Sequence, residues 1–185
     1  MAGRTPPEAV AAFVEPLQQS ISCVSPAVLQ VAGGYRPAAR PHALVLADGD
    51  PQPLRGDASL ALRVAQQYRI VEDTEPRGPW KVQTAAYSYV VNRGEQELLA
   101  YQWNPAGDGR VTRPHLHVGA AVGELTGDFH RLHLPTGRIA LEDVLRLLIE
   151  ELGVQPLREE WSEVLDAAQS GYERWRTWSS SSGER

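Results

Sequence analysis

Ala85-Ala86-Tyr87-Ser88-Tyr89-Val90-Val91, then Asn92-Arg93-Gly94-Glu95, then Glu97-Leu98-Leu99-Ala100-Tyr101-Gln102-Trp103: two runs rich in aromatic and aliphatic side chains flank a polar turn that contains a glycine. This pattern predicts a β-hairpin, because the flanking residues suit a pleated, half-buried surface and the glycine allows the chain to reverse. Upstream, Leu60, Leu62 and Val64, then Tyr68, Ile70 and Glu72, alternate through residues 60 to 73. Alternation of period two predicts one long strand bent near Ala65-Gln66-Gln67, with a helix over Ala58 to Gln67 as the competing assignment. Glu75-Pro76-Arg77-Gly78-Pro79 breaks the chain before Trp80 leads into the hairpin. Further upstream, Ala27 to Ala32 and His42 to Ala47 are short apolar runs closed by Gly33-Gly34 and Asp48-Gly49-Asp50, which predicts two more strands. His42, just after Pro41 at a strand start, is expected to be a surface or edge residue. The loop at Asp48 lacks the alternating ligands and terminal glutamate of a calcium-binding hand.

Helical spacing appears only toward the two ends. Pro6-Pro7-Glu8 suits a first helical turn, and Val10, Phe13, Val14 and Leu17 follow at helical spacing, so a helix is predicted over about residues 7 to 19. Pro16 lacks an amide donor and is expected to kink or end it. Leu141, Val144, Leu145, Leu148 and Leu152 form a second stripe stopped by Gly153, and Trp161, Val164, Leu165, Ala168, Tyr172 and Trp175 a third. The expected fold is α+β: a mainly antiparallel sheet of about five to seven strands, with one N-terminal helix and two C-terminal helices packed on one face. Residues 1–178 are read as a single domain and 179–185, which include Ser179-Ser180-Ser181-Ser182-Gly183, as a flexible tail.

Composition narrows the function classes. A net charge of -5 over 185 residues argues against a surface basic throughout, although five arginines lie between Arg110 and Arg146. Cys23 is the only cysteine, which excludes an internal disulfide or a thiolate metal cluster. No stretch approaches the roughly 20 apolar residues of a membrane span, and no signal-like segment opens the chain, so a cytoplasmic protein without membrane association is expected.

After the hairpin, Asn104-Pro105-Ala106-Gly107-Asp108-Gly109-Arg110 is an expected exposed loop, followed by a strand from Pro114 to Val122 that contains Pro114-His115-Leu116-His117-Val118-Gly119. On a strand, His115 and His117 share one face while Leu116 and Val118 take the other. A second strand is predicted at Phe129 to Leu134, where only one of His130 and His133 can join the pair. Two reactions suit these residues. With a third imidazole, and Asp108 or Glu124 as an oxygen ligand, a zinc site with an open position becomes conceivable. Without metal or cofactor, the two histidines exchange roles as acid and base while arginine holds a phosphate, which suits RNA cleavage through the 2′-hydroxyl. The metal-free reading is preferred, with His115, His117 and Arg113 as catalytic residues and Asn104, Arg110 and Arg131 as substrate contacts. Histidine-triad hydrolases are excluded because position 119 is Gly119, Glu124 is displaced from the acid spacing of cupins, and no phosphate-binding glycine loop or serine elbow is present. A non-catalytic interaction protein on the same scaffold is the other reading, with a homodimer formed through the C-terminal helices.

From Leu62-Arg63-Val64 through Tyr68-Arg69-Ile70, Tyr87-Ser88-Tyr89, Leu98-Leu99-Ala100-Tyr101, Asn104-Pro105, Pro114 to Gly119 and Leu141-Glu142-Asp143-Val144-Leu145, the chain resembles the TumE-like toxin family of prokaryotic toxin–antitoxin systems. The resemblance covers roughly residues 60 to 150. It departs from the family at Tyr101-Gln102-Trp103-Asn104 and at Pro114-His115-Leu116-His117, where the family carries a further carboxylate and a further histidine. The resemblance implies a small cytoplasmic α+β protein paired with an antitoxin.

Overall fold

The alternating segments are strands, and each joins the next by antiparallel pairing. The computed structural model describes residues 2–73, 78–107, 111–119 and 133–175. In chain order these form β1 (Ala2–Gly3), α1 (Pro6–Ser22), β2 (Leu29–Ala32), β3 (His42–Leu46), β4 (Gln52–Pro53), β5 (Leu60–Glu72), β6 (Trp80–Arg93), β7 (Gln96–Trp103), β8 (His115–Val118), β9 (His133–Pro135), α2 (Leu141–Glu150) and α3 (Trp161–Trp175). All belong to an α+β fold with one nine-stranded sheet, in which β2-β3-β5-β6-β7-β8-β9 are neighbours in that order, β1 pairs with β6 and β4 with β5. The sheet exceeds the expected five to seven strands because two-residue strands such as β1 and β4 carry no sequence periodicity at all. The Ser-rich tail lies outside the described residues.

Residues Leu60, Leu62, Val64, Gln66, Tyr68 and Ile70 are buried in alternation with more exposed neighbours, which decides against a helix over Ala58 to Gln67. The expected irregularity in β5 is a register shift at Gln67/Tyr68, and the extra residue sits on the partner strand, at Ala85. Because side chains alternate with period two, one inserted residue swaps faces. Tyr87, Tyr89 and Val91 therefore oppose the buried residues of β5 on one side of the bulge, and Thr84 and Val82 on the other. A second shift at Val91/Asn92 adjusts β7 in the same way. Tyr87 and Tyr89 stack with ring centroids 4.9 Å apart, and Tyr87 also meets Trp103 at 5.9 Å.

The three helices cover this aromatic face. Thr5 caps α1 by accepting the Glu8 amide through Oγ1, and Pro6 and Pro7 fill the first turn, where their missing donors cost nothing. The helix does not end near Pro16 as expected but continues to Ser22. Leu17, Ser20 and Ile21, all beyond the proline, are buried, and this packing outweighs the lost hydrogen bond. Phe13 packs on Tyr68 with centroids 5.5 Å apart. Leu141, Val144, Leu145 and Leu148 of α2 and Leu165 of α3 are completely or almost completely buried. Trp161 and Val164 pack against the same core. The described part of the α3 stripe is thus occupied within the chain. Gly153 ends the α2 region with φ of +71°, a left-handed conformation that favours glycine.

Gly119 closes β8 where its amide donates to the carbonyl of Leu98 at 2.8 Å. A Cβ at this position would overlap the Glu97 carbonyl, so glycine is what lets β8 approach β7. Gly119→Ala is expected to destabilise the protein by about 1–3 kcal/mol, the usual cost of forced overpacking. The shift in urea midpoint measures it, and an unchanged midpoint would show that the two strands do not need this approach.

Candidate functional site

Register places the histidines. Leu99 opposes Val118 and Tyr101 opposes Leu116, so Leu116 and Val118 share the helix-covered face. His115 and His117, opposite Gln102 and Ala100, lie on the other face, as the spacing predicted. Their ring centroids are 5.0 Å apart and inclined at 58°. His115 is 6% exposed, whereas His117 is only half-buried. The His115 Nδ1 lies 2.7 Å from the Arg113 carbonyl oxygen. A carbonyl only accepts, so Nδ1 carries a proton and donates it to Arg113.

Following the rows outward shows what surrounds the pair. Ala100 opposes Val90, which opposes Arg63, and Gln102 opposes Ser88, which opposes Ala65. Gln102 and Ser88 are half-buried and Arg63 is exposed on this face. Gln102, the direct ladder partner of His115, is a candidate that spacing within a single strand does not reveal. Its signal was the hairpin itself, once extended by one strand. Arg113 and Asn104 are exposed near the same end of the β7–β8 pair, Asn104 directly after β7 and Arg113 two residues before His115. Gly107 donates its amide to the Asn104 carbonyl at 3.3 Å, which folds the start of the loop back on itself. Arg110, Arg131, Asp108, Glu124 and His130 lie outside the described residues. His133 begins β9 and stands directly across the ladder from His117. Among the described residues no three His, Cys, Asp or Glu side chains gather as a metal cage.

The segment leaving β9 is tied back to the aromatic face. The Ile139 amide donates to the Tyr87 hydroxyl at 3.1 Å, and the Arg138 guanidinium lies 4.3 Å from the centroid of a Trp103 ring. These two contacts tie the segment between β9 and α2 to the aromatic side of the sheet.

His42 departs from the surface position expected for it. It is 3% exposed, its Nε2 donates to the Arg36 carbonyl at 2.8 Å, and its ring lies 5.3 Å from that of Tyr68. Burial, with the nearby Tyr35 hydroxyl adding to it, pushes the Tyr68 hydroxyl up to about 12. His42 is a satisfied core residue, and it is separate from the His115 face.

A second polar cluster was not foreseen. Glu142, in the first turn of α2, is 2% exposed. It sits three and seven residues before Leu145 and Ile149, so an acid interrupts an apolar stripe, and this was its signal in the sequence. Ser20 Oγ is 3.2 Å from Glu142 Oε1 and 3.0 Å from the Pro16 carbonyl. One hydroxyl proton serves one of these acceptors, and a protonated Glu142 carboxyl would supply the proton for the second bond. Gln66 Nε2 donates to the Tyr89 hydroxyl, while Gln66 Oε1, in the same small cavity as Glu142, has no partner among the described residues. Burial raises the Glu142 pKa above its ordinary 4.5, the helix amide and Ser20 oppose the rise, and Asp143 adds to it.

No helix among the described residues is long and apolar enough to cross a membrane. Comparison with protein-family models, curated proteins and solved structures finds no match for the chain.

The buried acid makes stability depend on pH. Burial makes the folded Glu142 ionise at higher pH than the unfolded one, so its contribution to stability is complete below pH 4.5 and is lost as pH rises through the folded value. Glu142→Gln is expected to flatten this part of the profile and to raise the urea midpoint at pH 8 relative to pH 4, compared with the parent chain. Parallel profiles for the two proteins would show that Glu142 ionises freely in the fold.

Proposed function

We propose that this chain is a toxin-like protein of the TumE-like kind that cleaves RNA without a metal, using His115 and His117 as the acid–base pair. The observation that carries the reading is the adjacency of the two imidazoles on the face opposite the helices, with the His115 Nδ1 held by the Arg113 carbonyl. In the chemistry proposed, Nε2 of His115 takes the proton of a ribose 2′-hydroxyl. The 2′-oxygen bonds to phosphorus, the bond from phosphorus to the 5′-oxygen breaks, and His117 in its protonated form delivers a proton to that leaving oxygen. The products are a 2′,3′-cyclic phosphate and a free 5′-hydroxyl, and the two rings have exchanged protonation states.

Arg113 is exposed beside the pair and suits the phosphate, since a guanidinium presents a planar set of donors to its oxygens. Asn104 at the end of β7 is assigned to the substrate as a hydrogen-bonding contact, and Arg110 and Arg131 as further cations. An RNA-cleaving protein in its own cell requires restraint, and the partner assigned to that role is an antitoxin protein. A homodimer through the C-terminal helices is the weaker assignment, because Leu165, Ala168 and Trp161 already pack within the chain.

Replacing both histidines with alanine is expected to leave the circular dichroism spectrum unchanged and to lower RNA cleavage by at least about a hundredfold, since each positioned acid or base contributes 10²–10⁴-fold. Growth inhibition on expression should disappear with it. Arg113→Ala is expected to weaken cleavage by roughly 10–100-fold, the worth of a charge-assisted hydrogen bond. Full inhibition by the double variant would dispose of the reading, as would cleavage lost on adding EDTA.

A further inference from the structure

We infer that the outer edge of β2, with the groove that separates it from α1, is a docking site for one extended segment of a partner polypeptide, added as a strand and carrying a basic side chain. The inference is independent of the RNA chemistry proposed above. In the strand order β2 stands at one end of the sheet, and β8 and β9 stand at the other.

Backbone parity identifies the open groups. The Ala47 amide donates to the Val28 carbonyl, so Val28, Gln30 and Ala32 turn their amides and carbonyls toward β3. Leu29 and Val31 turn theirs away from it. Gln18 Oε1 accepts the Leu29 amide, and Gln18 Nε2 donates to the Ala27 carbonyl. For the Leu29 carbonyl and both backbone groups of Val31, the described residues supply no such partner. Gln18 thus begins a pairing that a further strand can continue. β2 also carries no charged residue and no proline, two common means of closing an edge to other chains.

The groove fixes the rest of the occupant's chemistry. It measures about 480 Å³, within the range of ligand-binding clefts. Val10, Val14 and Glu15 of α1 form one wall and Val31 part of the other, with Val28 and Tyr35, 61% and 50% exposed, also bordering it. Leu29 and Val31 oppose Leu46 and Leu44 of the core, so their side chains take the helix-covered face. A strand laid along β2 presents every second side chain to that same face, and those side chains enter an apolar groove. Glu15 is exposed and is the one charged wall residue among the described residues, which calls for lysine or arginine in the occupant. A second copy of this chain is the poorer occupant. An isologous contact sets one patch against itself and turns the Glu15 side of the groove toward its own counterpart.

The test exposes the full chain to a phage-displayed library of random decapeptides, with the Glu15→Lys and Val31→Pro variants in parallel. Proline at position 31 removes the outward amide and no donor of the ladder to β3. Enriched peptides are expected to alternate apolar residues and to carry lysine or arginine. A synthetic peptide of the enriched sequence should slow hydrogen exchange at the Val31 amide. It should bind about tenfold more weakly to the Val31→Pro variant, the worth of a lost hydrogen bond, and about fivefold more weakly to the Glu15→Lys variant. Glu15 is exposed, so its variant keeps the site testable where the proline form folds poorly. Failure to enrich such a sequence, a bound peptide that leaves Val31 exchange unchanged, or affinity unchanged in the Glu15→Lys variant overturns the site. Sedimentation velocity of the chain alone addresses the other occupant. A monomer upholds the partner segment, and a dimer that Val31→Pro dissociates overturns it in favour of a second copy.

Discussion

Parity along one antiparallel ladder governs this molecule. From Leu62 through Val91, Leu99 and Val118, opposed residues lie on one face across four strands, and from Arg63 through Val90, Ala100 and His117 on the other. A slip of one residue anywhere in that ladder would bring imidazoles against the helices and leave leucine and valine on the opposite face. The hydrophobic core resists such a slip because Leu62, Val64, Tyr68, Tyr89 and Val91 are all at most 2% exposed. The position of the histidines is thus held by packing on the face they do not occupy.

This explains which parts of the fold were legible. Period-two burial over Leu60 to Glu72 and the hairpin around Gly94 announce themselves, because each residue's identity matches its own local environment. The helical stripes of α2 and α3 do so for the same reason. The bulge opposite Gln67 is hard to see, since Ala85 and Ala86 are small and fit either face, and only pairing with β5 reveals which one is extra. The passage of α1 through Pro16 was hidden too. A proline weakens a helix locally, but Leu17, Ser20 and Ile21 are anchored by tertiary contacts that no local rule contains.

Buried polar side chains mark the sharpest limit of the sequence. His42 and Glu142 are polar by identity and 3% and 2% exposed by position. Each is tolerated because it finds a specific partner: the Arg36 carbonyl for His42, and Ser20, more than a hundred residues away, for Glu142. Gln18 shows the same principle at a sheet edge. Its Oε1 accepts the Leu29 amide at 2.7 Å and its Nε2 donates to the Ala27 carbonyl at 3.1 Å, so one side-chain amide takes the place of a neighbouring strand. Edges covered in this way offer fewer groups to a foreign strand. None of these partnerships has a spacing that a reader of the sequence would recognise.

The histidine pair stands between these cases, since its shared face was legible and its asymmetry was not. Both rings belong to one short strand, yet His115 is nearly buried with a fixed hydrogen bond and His117 is half-open. A ring held by a backbone carbonyl keeps one tautomer and one orientation, and a half-open ring exchanges protons with solvent more readily. Two identical side chains thus have different surroundings, and the proposed division into base and acid rests on that difference. What distinguishes the two rings is therefore less the His-x-His spacing than the positions around them, with the Arg113 carbonyl on His115 and Gln102 and Ala100 opposite the two histidines in the ladder.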